Sequence, residues 1–222
     1  MPESLSSFFD ASSDPPVRGF LHRVEQAREG LVLTHGAGAD CQSALLTAVA
    51  ERFASAGLTV LRCDLPFRQL RPFGPPRPAD AARDREGLRY ALAAVRKLAS
   101  GRVFLGGHSY GGRQAAMLCA ENPGLADGLL LLSYPLHPPR KPGQLRIQHL
   151  PRLQTSSLFV HGTRDPFGSI AELESALKLI PGRTRLLPVE GAGHDLGFKG
   201  KARREELPAA VVRELETFFR AV

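Results

Sequence analysis

Residues 102–121, RVFLGGHSYGGRQAAMLCAE, pass from an apolar run (Val103, Phe104, Leu105) through Gly107-His108-Ser109-Tyr110-Gly111 into a stretch patterned for a helix. A short apolar run bounded by glycines reads as a buried strand, and residues 112–121 read as the helix that follows it. A serine between them sits on a sharp turn, where Gly107 and Gly111 allow the backbone to fold back without side-chain clashes. The helix that opens there turns free N–H groups and the positive end of its dipole toward the turn. Ser109 is therefore a candidate nucleophile with an anion-stabilising environment built in.

Outward from this turn, short apolar runs alternate with amphipathic stretches, the pattern of a parallel sheet covered by helices on both faces. Strands are expected at 17–24, 31–34, 58–63, 103–106, 129–133, 158–160 and 185–189. Helices are expected at 42–56, 79–99, 112–121, 170–180 and 207–221. Asp40 and Ser169 stand where N-caps belong, and Gly57 and Gly182 where helices must stop. This gives a doubly wound, mostly parallel sheet of about seven strands in one domain over 17–222, after a flexible Ser- and Pro-rich segment 1–16. Two proline-rich segments, 66–78 and 135–142, leave the carboxyl ends of strands, where open α/β sheets bind ligands. They are either walls of a pocket or long connections.

A serine hydroxyl needs a general base, and the base needs a carboxylate to orient it. Asp165, in HGTRDP, follows the strand at 158–160, and His194, in GAGHD, follows the strand at 185–189, so both belong at the edge that carries Ser109. The three are spaced by 56 and then 29 residues, each gap long enough for the intervening strand and helix. Among rival acids, Asp195 adjoins the histidine itself and Asp127 precedes a strand, which places it at the opposite edge. Asp64 follows a strand and competes seriously, as an acid assisting the triad or as a cap of the proline-rich loop. His108 and His161 read as structural or pocket-lining.

An oxyanion hole needs two backbone N–H donors. Tyr110 supplies one, and Ala37, in the glycine-rich stretch THGAGA at 34–39, is the choice for the other unless that stretch is a plain turn. His35 and Tyr134 are candidate substrate contacts, and Phe67 and Tyr134 line a pocket or join the core. Arg113 and Arg164 either attract an anionic acyl group or pair with carboxylates and solvent.

The chain of 222 residues carries 29 basic and 22 acidic side chains, a net charge of +7. The basic residues are scattered, apart from a denser stretch at 199–204, with no aromatic residues interleaved for base stacking, so no nucleic-acid partner is expected. Cys41, Cys63 and Cys119 show no metal or disulfide spacing. No 18-residue apolar run and no leader pattern occur. These features lead to the expectation of a cytoplasmic protein with no membrane partner, no metal and no cofactor. Oligomeric state is left open.

The H-G-A-G loop, G-H-S-Y-G-G turn, H-G-T-R-D strand end and G-A-G-H turn together resemble the α/β-hydrolases over about residues 17–222. The pieces RCDLPFR (62–68), GGRQ (111–114) and LSYPL (132–136) resemble the small branch that includes testis-expressed protein 30 and dienelactone-hydrolase-like proteins. The resemblance implies the α/β-hydrolase fold, a Ser-Asp-His triad at Ser109, Asp165 and His194, and no cofactor. Dienelactone hydrolases proper have cysteine where Ser109 stands, and haloalkane dehalogenases and epoxide hydrolases have aspartate, which argues against those reactions. Only about two dozen residues, 134–157, occupy the usual place of a lid, too few for a substantial one.

The expected activity is that of a carboxylesterase-like serine hydrolase, cleaving an ester, thioester or related acyl bond of a small molecule. An acyltransferase with the same acyl-enzyme, and a catalytically silent interaction protein that keeps the fold, are the alternatives.

Overall fold

The structure, a computed structural model, describes residues 3–198 and 201–220. Positions 1–2, 199–200 and 221–222, which include the expected end of the last helix and part of the basic stretch 199–204, lie outside the described residues. Among the described residues, eight strands form one sheet: β1 (Glu3–Asp10), β2 (Val17–Val24), β3 (Gly30–Thr34), β4 (Thr59–Cys63), β5 (Val103–His108), β6 (Gly128–Leu132), β7 (Ser157–Gly162) and β8 (Thr184–Val189). Their order is β1-β2-β4-β3-β5-β6-β7-β8; β1 and β2 run antiparallel to their neighbours and the rest are parallel. Among the described residues, six helices accompany them: α1 (Ala44–Ser55), α2 (Pro66–Leu70), α3 (Asp80–Arg96), α4 (Tyr110–Glu121), α5 (Ile170–Leu177) and α6 (Lys201–Arg220). No described helix is long and apolar enough to cross a membrane.

The central strands are apolar on both faces because both faces are covered. In β3, Leu31 and Leu33 point into one hydrophobic layer and Val32 into the other. The first layer is completed by α1 and α6 through Leu46, Phe53, Val211 and Phe218; the second by α3, α4 and α5 through Leu88, Ala115 and Leu173. This two-unit alternation repeats in β5, β6 and β7.

Four local expectations change. Residues 3–10, expected to be flexible, form β1, hydrogen-bonded along β2 from Glu3↔Val24 to Asp10↔Val17. Its SLSSFF core has no strong apolar alternation because it is an edge strand: Leu5 and Phe9 face solvent and only Phe8 packs on the core. Asp40 is not the cap of α1; it accepts the Gln42 amide at 2.8 Å, and Ser43 occupies the N-cap position. The proline-rich segment contains a short helix, α2, with Pro66 in its first turn, where a missing N–H costs nothing. Helix α6 begins at Lys201, six residues before the expected start, since KARREE consists of strong helix formers that carry no apolar period.

The expected cap of α5 is found in full: Ser169 accepts the Glu172 amide, and Glu172 accepts the Ser169 amide at 2.8 Å. Residues 134–156 form turns and a single 3-10 turn at Leu150–Arg152, and no lid covers the sheet edge.

Candidate active site

At the carboxyl edge of the sheet, β5 ends at His108 and α4 begins at Tyr110, so Ser109 alone makes the turn, with φ 51° and ψ −115°. A non-glycine residue at positive φ costs free energy that the surroundings must hold in place. Here the Ser109 amide donates to Leu132 O at 2.8 Å and its carbonyl accepts the Arg113 amide at 3.0 Å.

The approach of the turn to β3 leaves no room for a side chain at Gly111: a Cβ there would lie 2.5 Å from His35 O and 2.6 Å from Thr34 Cγ2. Gly111→Ala is accordingly expected to cost about 1–3 kcal/mol. A melting curve should register this as a drop of at least about 3 °C; an unchanged midpoint would show that the turn has slack.

Asp165 follows β7 and His194 follows β8, and the tertiary structure brings them to Ser109. His194 Nδ1 lies 2.8 Å from Asp165 Oδ2 and 3.1 Å from Oδ1, and His194 Nε2 lies 2.8 Å from Ser109 Oγ. A carboxylate accepts, so Nδ1–H donates to Asp165, and Nε2 is left with its lone pair toward the Ser109 hydroxyl. The Asp165 carboxylate is wholly buried, and its Oδ1 also accepts the Phe167 amide at 2.9 Å. Phe167 stacks on the His194 ring with centroids 4.1 Å apart, fixing the ring plane from one side. His108 Nε2–H donates to His194 O at 2.9 Å. Burial drives the His108 pKa down to about 4, so that ring is a neutral hydrogen-bond donor.

The competing acids are occupied elsewhere. Asp64 accepts the Cys41 amide at 2.8 Å and neither reaches His194 nor caps the proline-rich loop. Asp127 stands at the start of β6, accepting the Val103 amide at 2.8 Å, and Asp195 accepts the Gly197 amide at 3.1 Å. His161 is fully buried and donates from Nε2 to Gly168 O at 2.8 Å. Burial pushes the thiols of Cys63 and Cys119 up to about 12 and raises that of Cys41 as well, so no cysteine competes as nucleophile.

A cleft of about 580 Å³ opens over Ser109, lined by Ala37, Tyr110 and Phe167 and by both proline-rich segments, through Pro75, Pro78 and Pro135. A second cleft, of about 610 Å³, lies at the opposite edge around Val24–Glu29 and Ala56–Leu58; no serine, cysteine or histidine lines it. The chemistry therefore belongs to the first.

Two expected substrate contacts are corrected. His35 is fully buried: its Nδ1–H donates to Gly36 O at 2.8 Å, and its Nε2 accepts the Leu65 amide at 3.1 Å. Both nitrogens are used inside the protein, and desolvation holds its pKa below the ordinary value. Tyr134 is buried in the core beneath the cleft, donating to Arg146 O at 3.0 Å with His149 Nε2 at 3.1 Å. Phe67 is likewise in the core, and Arg164 is turned to solvent.

His35 acts on the geometry of the loop instead. It and the Ala39 amide, at 3.2 Å, hold the Gly36 carbonyl, and in a trans peptide this sends the Ala37 N–H the opposite way. Tyr110 stands at the first position of α4, where an amide has no intrahelical partner. Its hydroxyl donates to the buried Asp84 at 2.7 Å, and Asp84 also accepts the Phe67 amide at 3.0 Å. Desolvation raises the Asp84 pKa. Asp84 was missed in the sequence, although it shares a helical face with Leu88, Ala91, Leu92 and Val95, and an acid in that apolar stripe is the signal.

A family model described as an alpha/beta hydrolase domain matches residues 27–219. The chain belongs to the α/β-hydrolases. Among solved structures, this hydrolase-family chain is similar to a dienelactone hydrolase from Anabaena variabilis, at 21% identity and TM-score 0.76 over 100% of this chain and 99% of that one. It is similar also to an alpha-beta serine hydrolase homologue from Coxiella burnetii, at 17% identity and TM-score 0.74, covering 95% and 97%. A lidless α/β serine hydrolase from Xanthomonas campestris matches at 14% identity and TM-score 0.72, covering 100% and 96%. At these identities the likeness is one of fold.

Proposed function

We propose that this α/β-hydrolase is a carboxylesterase-like serine hydrolase that cleaves an ester, thioester or related acyl bond of a small molecule through an acyl-enzyme. The observation that carries this reading is the unbroken hydrogen-bonded chain from Ser109 Oγ through His194 to the buried Asp165, open to a cleft at the serine end.

In this mechanism Ser109 Oγ attacks the acyl carbon while His194 Nε2 takes the hydroxyl proton, and Asp165 stabilises the imidazolium and holds its orientation. The carbonyl oxygen, now carrying the negative charge, is received by the amides of Ala37 and Tyr110. Collapse expels the alcohol or thiol, protonated by His194, and leaves the acyl group on Ser109. Water then attacks the ester, giving its proton to His194, and the carboxylic acid departs as Ser109 recovers its hydrogen.

Intact mass after exposure to a fluorophosphonate probe tests the reading. One adduct is expected on the folded chain, located at Ser109, and none on the heat-unfolded chain. A folded chain that stays unmodified would move the weight to a binding or scaffolding role for the fold.

A further inference from the structure

The cleft over Ser109 is lined by three arginines, Arg77, Arg113 and Arg146, and by no carboxylate. Several arginines elsewhere on the surface are paired, Arg71 with Asp80, Arg85 with Glu121, Arg96 with Asp127 and Arg102 with Glu29, while others such as Arg164 face solvent. Arg113 and Arg146 have no ion-pair partner among the described residues, and Arg113 Nε is shut off from solvent without any hydrogen-bond acceptor. A buried donor left unpaired is costly, and in native proteins it calls for an explanation.

Three acids bonded to residues that line the cleft are committed to other donors. Asp84 accepts from Tyr110 and Phe67, Asp80 from Arg71 and the Arg77 amide, and Asp165 from His194 and Phe167. The protein's own groups around Arg113 are other cations or neutral: Arg146 donates to Pro135 O at 3.3 Å, and His149 meets the Tyr134 hydroxyl. Burial, joined by the charge of Arg113, holds the Arg146 guanidinium below its ordinary pKa. Burial and the surrounding arginines also push His149 down to about 4, so it stays neutral and adds no further positive charge. Two half-buried guanidiniums that face the same space without a counterion form a site short of one negative charge.

Arg113 stands four residues beyond Ser109 and its amide bonds to the Ser109 carbonyl, so the two side chains share one face of the first turn of α4. We infer that Arg113, with Arg146, forms an anion subsite of the cleft, and that the substrate is an ester or thioester carrying a carboxylate a few methylene units from the acyl carbon. The planar guanidinium fork suits a carboxylate, and the Arg113 and Arg146 side chains both line the cleft that one would enter. This specificity rests on the hydrolase reading given above.

The test compares two 4-nitrophenyl esters, the half-ester of adipic acid and the ester of hexanoic acid, which match in length and differ in one terminal charge. The native protein is expected to favour the adipate ester at least tenfold in kcat/KM. Arg113→Met is expected to lose at least tenfold more on the adipate ester than on the hexanoate ester, with Arg113→Lys and Arg146→Met losing less. If Arg113→Met fails to fold, Arg113→Lys is compared in the same way, since its ammonium keeps the charge without the fork. Equal use of the two esters by the native chain, or a preference that survives these substitutions, would overturn the inference.

Should neither ester turn over and no fluorophosphonate adduct form, the hydrolase reading has failed by itself, and the subsite is then read by nuclear magnetic resonance. A saturable shift of the Arg113 Nε–H signal with adipate, absent with hexanamide, would retain the anion subsite. No shift would remove it.

Discussion

Ser109→Ala is expected to lower the turnover of a short-chain aryl ester by about 10⁴- to 10⁶-fold, because the members of a serine triad act as a unit and the loss of the nucleophile forfeits nearly all of their joint effect. What survives is the stabilisation given by the oxyanion amides and by binding. The folded state should change little: alanine meets the same φ of 51° that serine meets, and only the bond from Oγ to His194 Nε2 is lost. Initial rates and a melting curve on the same preparation check both halves. A variant that keeps a tenth of the activity while folded would show that Ser109 is not the nucleophile.

Asp165→Asn is expected to cost about 10⁴-fold in kcat with the site geometry nearly intact, the magnitude seen when the orienting acid of a serine triad becomes an amide. Asp165 lies at hydrogen-bond distance from both His194 Nδ1 and the Phe167 amide, and both of these are donors. An asparagine has only one oxygen to satisfy them, and its NH₂ facing Nδ1 would favour the tautomer with the proton on Nε2, where the base must be free. Asp64→Asn is the companion measurement. Its carboxylate holds the Cys41 amide, away from His194, and a loss of less than about tenfold is expected, since no reacting atom is touched. A larger loss at position 64 than at 165 would reassign the acid.

The residues of the proposed triad are legible in the sequence because each sits just past a strand whose apolar run is plain, and parallel strands deliver their ends to one edge. The loop proposed to hold the oxyanion is legible for the same reason, since its glycines follow β3 at once. Other parts depend on contacts that no local pattern encodes. Phe167 looks like any loop aromatic until the chain brings it over His194. His35 sits beside the loop and so looks available, but burial turns both of its nitrogens inward. Tyr134 follows a strand that is covered on both faces, and its side chain joins the core below the cleft instead of the surface above it. Strand β1 is hidden for the converse reason: an edge strand buries so little that SLSSFF carries the composition of a tail. The role of Arg113 also needed the fold, for a sequence cannot say which arginines find a carboxylate.

Arg68 is a nearly buried side chain whose guanidinium donates to the carbonyls of Ala37, Ala39, Arg71 and Gly74, at 2.9, 2.9, 3.0 and 3.1 Å. It joins the loop that carries the Ala37 amide to the wall that carries Pro75 and Pro78, with charge-assisted bonds to parts of the chain more than thirty positions apart. The ordering of these two segments is thus completed when the chain folds, and a molecule entering the cleft finds a mould already set. Such a mould discriminates by refusal: a poorly shaped molecule leaves unaltered walls behind it, and wider tolerance would have to come from loosening this one guanidinium before any residue that lines the cleft is changed.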